Sequence, residues 1–202
     1  MRALGVEPIL CEPTAEARQA KADEVVASTG ATFIHPYNDP RIIAGQGTVG
    51  LEIDEQAPEL DAVIVPVGGG GLLSGCLLAL GARRPGLPIY GAEPAWADDA
   101  YRSLREGSIQ TPTRYDTVAD GLRTPLGDLT FPIIQRLAEG ILLADEEAIG
   151  IATRTMLERG RLLAEPSGAV PLACLMAHRE RFQGQRVALV VSGGNVDVSA
   201  VL

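Results

Sequence analysis

Lysine is almost absent from this chain: Lys21 is the only one among 202 residues. With a formal charge of -9 and a pI near 4.7, the sequence has no cluster of cations of the kind that grips a phosphate backbone, which argues against nucleic acid as a partner. Small molecules or other protein chains are the expected partners. Long apolar runs are lacking too. None approaches the roughly 18 residues that cross a bilayer, and the opening MRALGVEPIL has no basic stretch followed by an apolar core. A soluble, cytoplasmic protein is expected. Cys11, Cys76 and Cys174 occur without CxxC or Cys/His spacing and in apolar settings, so all three read as buried, reduced thiols. His35 lies in a turn and His178 at a charged helix end, and neither has a partner that sequence can identify.

The chain does have apolar material, at 46% of residues, enough for a core of one domain or one and a half. Short strands are expected at Glu7 to Cys11, Thr32 to Ile34, Asp61 to Pro66, Pro88 to Ala92, Ile141 to Ala144 and Arg186 to Val191. Between them the pattern predicts helices from Thr14, as N-cap, to Gly30, then over Ile43 to Gln56, Leu72 to Ala82, Asp98 to Glu106, Asp128 to Leu137, Glu146 to Arg159 and Ser167 to Arg181. Gly45, Gly47 and Gly50 weaken the second of these, so tight packing must compensate. Alternating strands and helices predict an α/β fold with a doubly wound, mostly parallel sheet. Ligands in such sheets sit beyond the carboxyl ends of strands. Two strands here end in glycine loops, Val67 to Gly71 and Ser192 to Asn195, which should frame one site.

Gly68 to Gly71 follow a buried strand and precede a helix. Without Cβ atoms, successive N–H groups can converge on one anion, and the helix N-terminus adds its positive dipole end. A dinucleotide fingerprint fails here, because the sixth position is Leu73 or Ser74 where glycine is needed. A P-loop fails as well: Gly70 and Gly75 have the spacing, but Cys76 stands in the lysine position. A bare strand-to-helix turn would lose the entropy of four glycines with no packing gain. A monophosphate is therefore the expected occupant.

The run Val65-Pro-Val-Gly-Gly-Gly-Gly-Leu-Leu-Ser-Gly75 resembles the phosphate loop of the fold type II pyridoxal-phosphate enzymes, in the serine/threonine dehydratase and serine racemase branch. His35 to Thr48, Gly91 to Pro94, Ala119 to Gly121, Glu165 to Gly168 and Ser192 to Asn195 follow in that family's order, so the resemblance covers essentially the whole chain. It implies a tryptophan synthase β-like fold, with residues 1-35 as part of a small α/β domain and 36-202 as a large cofactor-binding domain, incomplete at its N-terminal side. It also implies that Gly68, Gly69, Gly70, Gly71 and Leu72 hold the phosphate of pyridoxal 5'-phosphate and that Ser192 bonds the pyridine nitrogen. Glu93, Ala97 and Asp99 match a divalent cation site completed by water, whose hard oxygen ligands suit Mg²⁺ or Ca²⁺. On spacing alone, Asp98 and Asp99 equally suit a helix N-terminus. Arg18 and Thr124 match groups that reach the substrate carboxylate, Glu165 a supporting acid, and Trp96 a neighbour of the cation loop. Tyr37 departs from the asparagine of animal racemases.

The resemblance also shows what is missing. A Ser-x-Lys-x-Arg-Gly-type segment, whose lysine attaches the cofactor, and a Ser-x-Gly-Asn-His loop both belong upstream of the place where Met1 falls. No catalytic residue is assigned within the chain, and Lys21 matches only a surface position. The expected function is dehydration and deamination of L-serine or L-threonine to a 2-oxo acid and ammonia, by a homodimeric enzyme of which this chain is a truncated form. Serine racemase is the alternative. A non-catalytic phosphate-binding module, or half of a split enzyme, is the alternative of another class.

Overall fold

A computed structural model describes residues 2-12 and 15-197 and divides the chain into two compact units, Met1–His35 and Pro36–Leu202. In the first, a 3-10 turn at Arg2–Leu4 precedes helix α1, Ala15–Thr29. Gly30 ends α1 in a left-handed conformation, φ +70°, with its N–H on the Val26 carbonyl. The expected cap, Thr14, lies outside the described residues. The strands expected at Glu7 to Cys11 and Thr32 to Ile34 do not form. A strand exists only through its ladder, and among the described residues neither segment has one. Ile9, Leu10, Phe33 and Ile34 stand exposed.

The second unit contains α2 (Pro40–Gln56), β1 (Ala62–Pro66), α3 (Gly71–Arg83), β2 (Ile89–Pro94), α4 (Asp99–Glu106), α5 (Thr130–Leu137), β3 (Gly140–Ala144), α6 (Glu146–Glu158), α7 (Pro166–Ala177) and β4 (Val187–Leu189). The sheet is parallel throughout, in the order β3-β2-β1-β4. Side-chain alternation along β1 builds two core layers. Ala62 and Ile64 face α6 and α7, while Val63, Val65 and Val67 face α3 and α5. All five β1 residues are buried, as expected for a parallel strand covered on both faces.

Several boundaries moved for local reasons. α2 starts three residues early because Asp39 caps it, accepting the Arg41 N–H at 2.8 Å, with Pro40 in the first turn. α5 starts late, at Thr130, whose hydroxyl accepts the Gly127 N–H at 2.8 Å. α7 stops at Ala177. The ring Nε2 of His178 lies 3.1 Å from the Leu143 carbonyl, and Arg179–Phe182 turns as a 3-10 helix. β4 is only three residues long, with β1 as its one strand neighbour among the described residues. Of the cysteines, Cys76 and Cys174 are buried, but Cys11 is exposed, because the extended segment around it lacks a covering layer.

Two of the three α2 glycines, Gly47 and Gly50, pack tightly as expected, whereas Gly45 faces open space and no neighbour among the described residues requires it to lack a side chain. A Cβ on Gly50 would lie 3.1 Å from the Ala79 methyl, and one on Gly75 would meet the Gly47 nitrogen at 2.5 Å and the Ile43 carbonyl at 2.6 Å. α2 and α3 therefore touch backbone to backbone, and the contact area compensates the helix propensity lost.

Candidate cofactor site

The order β3-β2-β1-β4 reverses direction at β1, so the crevice between the carboxyl ends of β1 and β4 is the topological switch point of the sheet. β1 runs into Val67 and the four glycines, and β4 runs into Ser192 to Asn195. Their parallel pairing puts both loops at the same end.

The glycine turn is buried, and each of its four glycines has a neighbour where a Cβ would stand. A Cβ on Gly68 would lie 3.0 Å from the Leu122 Cα and 3.3 Å from the Thr124 hydroxyl. One on Gly69 would collide with the ring of Tyr37, and one on Gly70 would stand 2.7 Å from the Ile134 side chain. One on Gly71 would stand 2.9 Å from the Tyr37 Cβ. Packing, then, does use these glycines, contrary to the expectation that a turn without an anion would gain nothing from them. Gly70 also needs φ +86°, open to glycine at little strain. The Thr130 hydroxyl donates to the Gly69 carbonyl at 2.8 Å and so turns the peptide dipole of Gly69 toward α5. Ser74 is the first residue of α3 whose N–H meets a helical acceptor, the Gly70 carbonyl at 2.9 Å. The N–H groups before it, from Gly71 to Leu73, form the open first turn of the 13-residue helix. Backbone donors, a helix N-terminus and no intruding side chain on the turn itself are the donor set a phosphate needs.

Across the switch point Ser192 is exposed, on a loop anchored by Glu165. One Glu165 carboxylate oxygen accepts the Asn195 N–H at 3.0 Å, and the Glu165 N–H donates to the Gly193 carbonyl at 3.0 Å. Thr124 is half-buried beside Gly68. Arg18 stands exposed on α1, in the other unit, lining a groove of about 440 Å³ with Ile9, Cys11, Lys21, Thr32 and Phe33. Lys21 pairs there with Glu24 at 2.6 Å.

Glu93, the penultimate residue of β2, has two carboxylate oxygens that accept the N–H groups of Ala100 (2.8 Å) and Tyr101 (2.9 Å) at the start of α4. Burial, reinforced by the nearby Asp99 charge, raises its pKa well above the carboxylate range. Asp99 is 1% exposed, and burial pushes its pKa up to about 7. Neither of its oxygens makes a hydrogen bond of normal geometry among the described residues, the nearby backbone groups of Asp99 and Leu126 only weakly opposing the effect of burial. Asp98, by contrast, pairs with Arg102 at 2.8 Å. The chain between, Ala95–Ala97, is a 3-10 turn in which Ala97 is fully buried. Trp96 carries the Arg114 guanidinium 3.4 Å from its ring centroid. Two carboxylates and a turn of backbone suit a hard cation, and the unpartnered Asp99 is the group such an ion would satisfy.

Two contributors were not singled out from sequence. Thr130 gave no signal of its own. Ser167, buried, accepts the Gly121 N–H at 3.0 Å, and its signal was membership of the Glu165-Pro-Ser-Gly168 run.

The model of the family described as pyridoxal-phosphate dependent enzyme matches residues 1-193. The chain belongs to that family. A β-hydroxyaspartate dehydratase of Paracoccus denitrificans (strain Pd 1222) is 46% identical over 188 residues, 93% of this chain and 60% of that protein. The structure of maize serine racemase superposes with a TM-score of 0.93 at 40% identity, covering 99% of this chain and 62% of that one. The threonine deaminase of T.th. gives 0.92 at 44% identity, over 97% of this chain and 65% of that one. These pyridoxal-phosphate dependent relatives are longer, and the chain spans about 60% of the curated ones. No helix among the described residues is long and apolar enough to cross a membrane.

Proposed function

We propose that this chain provides the cofactor-binding part of a cytoplasmic, homodimeric dehydratase that converts L-serine or L-threonine to a 2-oxo acid and ammonia. The glycine turn carries the reading: a buried, side-chain-free loop at the switch point, followed by the open first turn of α3. Gly68 to Gly71 and Leu72 hold the cofactor phosphate through their N–H groups. Ser192 donates its hydroxyl to the ring nitrogen, and a neutral donor there leaves that nitrogen without a proton. When bound, pyridoxal phosphate supplies a ring that accepts the electrons released at the substrate α-carbon, mildly with an unprotonated nitrogen, as β-elimination requires. Thr124, beside Gly68, binds the substrate carboxylate. Glu93, the Ala97 carbonyl and Asp99 hold Mg²⁺ or Ca²⁺ and brace the loop after β2. The proton-abstracting lysine comes from a polypeptide segment outside these 202 residues, because Lys21 is ion-paired on α1. The greater length of the relatives supports this.

Serine racemase is the second reading, favoured by the match to the maize enzyme. Fusing the N-terminal segment of the Paracoccus relative ahead of residue 1, then assaying 2-oxo acid and D-serine together from L-serine, separates the two. 2-Oxo acid in excess supports the dehydratase, and D-serine in excess overturns it. Cofactor binding with neither product supports the third reading, a binding module.

A further inference from the structure

Glu165 occupies the N-cap position of α7, where an acid ordinarily serves the helix dipole, yet its side chain caps nothing in its own helix. It reaches instead to the Asn195 N–H at 3.0 Å, and its own N–H holds the Gly193 carbonyl at 3.0 Å. Two residues on, the Ser167 hydroxyl, 2% exposed, accepts the Gly121 N–H at 3.0 Å. Gly121 in turn backs the glycine turn: a Cβ on Gly68 would stand 3.2 Å from the Gly121 carbonyl and 3.0 Å from the Leu122 Cα. Gly168 completes the arrangement, since a Cβ there would lie 2.9 Å from the Gly193 carbonyl. The segment sits on a rigid base, with Ala169, Val170, Ala173 and Cys174 of α7 fully buried against the sheet.

We propose that Glu165-Pro-Ser-Gly168 is a clamp that fixes the separation between the phosphate-holding glycine turn and the Ser192 loop, with Glu165 and Ser167 as its two positioning residues. One arm, Glu165, sets the Ser192 loop. The other, Ser167, sets the wall behind Gly68. Both lie within three residues at the start of one helix, so hydrogen bonds to a single rigid element set the span a cofactor must bridge, and the cofactor is spared the cost of ordering two independent loops. The inference rests on the proposed placement of pyridoxal phosphate between those loops.

Ligand size provides the test. Inorganic phosphate needs only the glycine turn, whereas pyridoxal phosphate must meet both loops. Dissociation constants of both ligands are measured on the 202-residue chain and its Glu165→Ala, Glu165→Gln and Ser167→Ala variants, with the backbone amide resonances of Gly68 to Leu72 followed during each titration. Glu165→Ala is expected to weaken pyridoxal phosphate about tenfold and inorganic phosphate less than about twofold, the loss of one charge-assisted hydrogen bond read by one ligand only. Glu165→Gln, which keeps an acceptor oxygen for Asn195, restores most of the affinity. Ser167→Ala weakens both ligands. A general loosening of the fold would lower both affinities in Glu165→Ala and would not distinguish Gln from Ala. Wild-type binding with Glu165→Ala unchanged, or with both ligands weakened alike, overturns the clamp and leaves the cofactor placement standing. Amides of Gly68 to Leu72 that stay still in the wild type overturn both.

Discussion

Tyr37 lies with its ring against Gly69, so closely that a methyl group on that glycine would occupy the same space. The phosphate turn is thus also a packing interface, and its glycines have two separable roles. Gly70→Ala combines a left-handed backbone with a Cβ 2.7 Å from Ile134, and is expected to destabilise the fold by about 2 to 4 kcal/mol. Gly86→Ala has comparable backbone strain, φ +90°, in open space and should cost about 1 kcal/mol. Denaturant unfolding of the two variants separates collision from strain.

Gly75 lies in α3 where the backbone of α2 passes. Gly75→Ala must push Gly47 and Ile43 away and is expected to cost about 1 to 3 kcal/mol, although alanine is the better helix former. A rise in stability would contradict the close contact between the helices.

Asp99 carries the cation expectation. Mg²⁺ or Ca²⁺ should raise the melting temperature of the wild type and leave Asp99→Asn unmoved. Without added cation, Asp99→Asn should be at least as stable as the wild type, because the substitution removes a buried charge that makes no normal hydrogen bond. An equal cation response in both proteins would place the ion elsewhere.

Asp54 accepts from Arg83 at 2.9 Å and Arg84 at 2.5 Å, and these bonds, Arg83's foremost, lower its pKa below the usual 3.8. A lowered carboxylate pKa stabilises the folded state above the unfolded value and loses that contribution as pH falls through the folded one. The difference in melting temperature between wild type and Asp54→Asn should be positive at pH 7 and shrink as pH falls below about 4.

Thiol reagents should modify one cysteine of the native chain rapidly. Cys11 is exposed, whereas burial pushes the pKa of Cys76 and Cys174 up to about 12 and withholds their thiolates. All three should react after unfolding.

Much of the second unit could be read in advance, because its strands are short, mostly apolar runs and some helix starts have a local signal, such as Asp145 accepting the Ala148 N–H ahead of α6. The two strands expected near the N-terminus could not be confirmed from their own residues, since pairing is a property of the neighbour as much as of the strand. The glycine turn stood out as an anion loop, but the Tyr37 ring and the Thr130 hydroxyl that pack and orient it come from 32 residues before and 61 residues after Gly69. Glu165 is legible by resemblance as a supporting acid, but the group it supports, the Asn195 N–H, lies 30 residues away. Long-range hydrogen bonds of this kind leave no periodicity to read.

Phosphate binding by the turn from Gly68 to Leu72 is the step on which the proposed function rests. An amide-resolved titration of the isotopically labelled chain tests it most directly, because a rival groove, mostly apolar but carrying Arg18 and Lys21, exists in the first unit. Saturable shifts of the Gly68 to Leu72 resonances, with Ser192 following for pyridoxal phosphate and not for inorganic phosphate, are the predicted result. Shifts confined to the Arg18 and Lys21 groove, with the glycine turn unmoved, would contradict it.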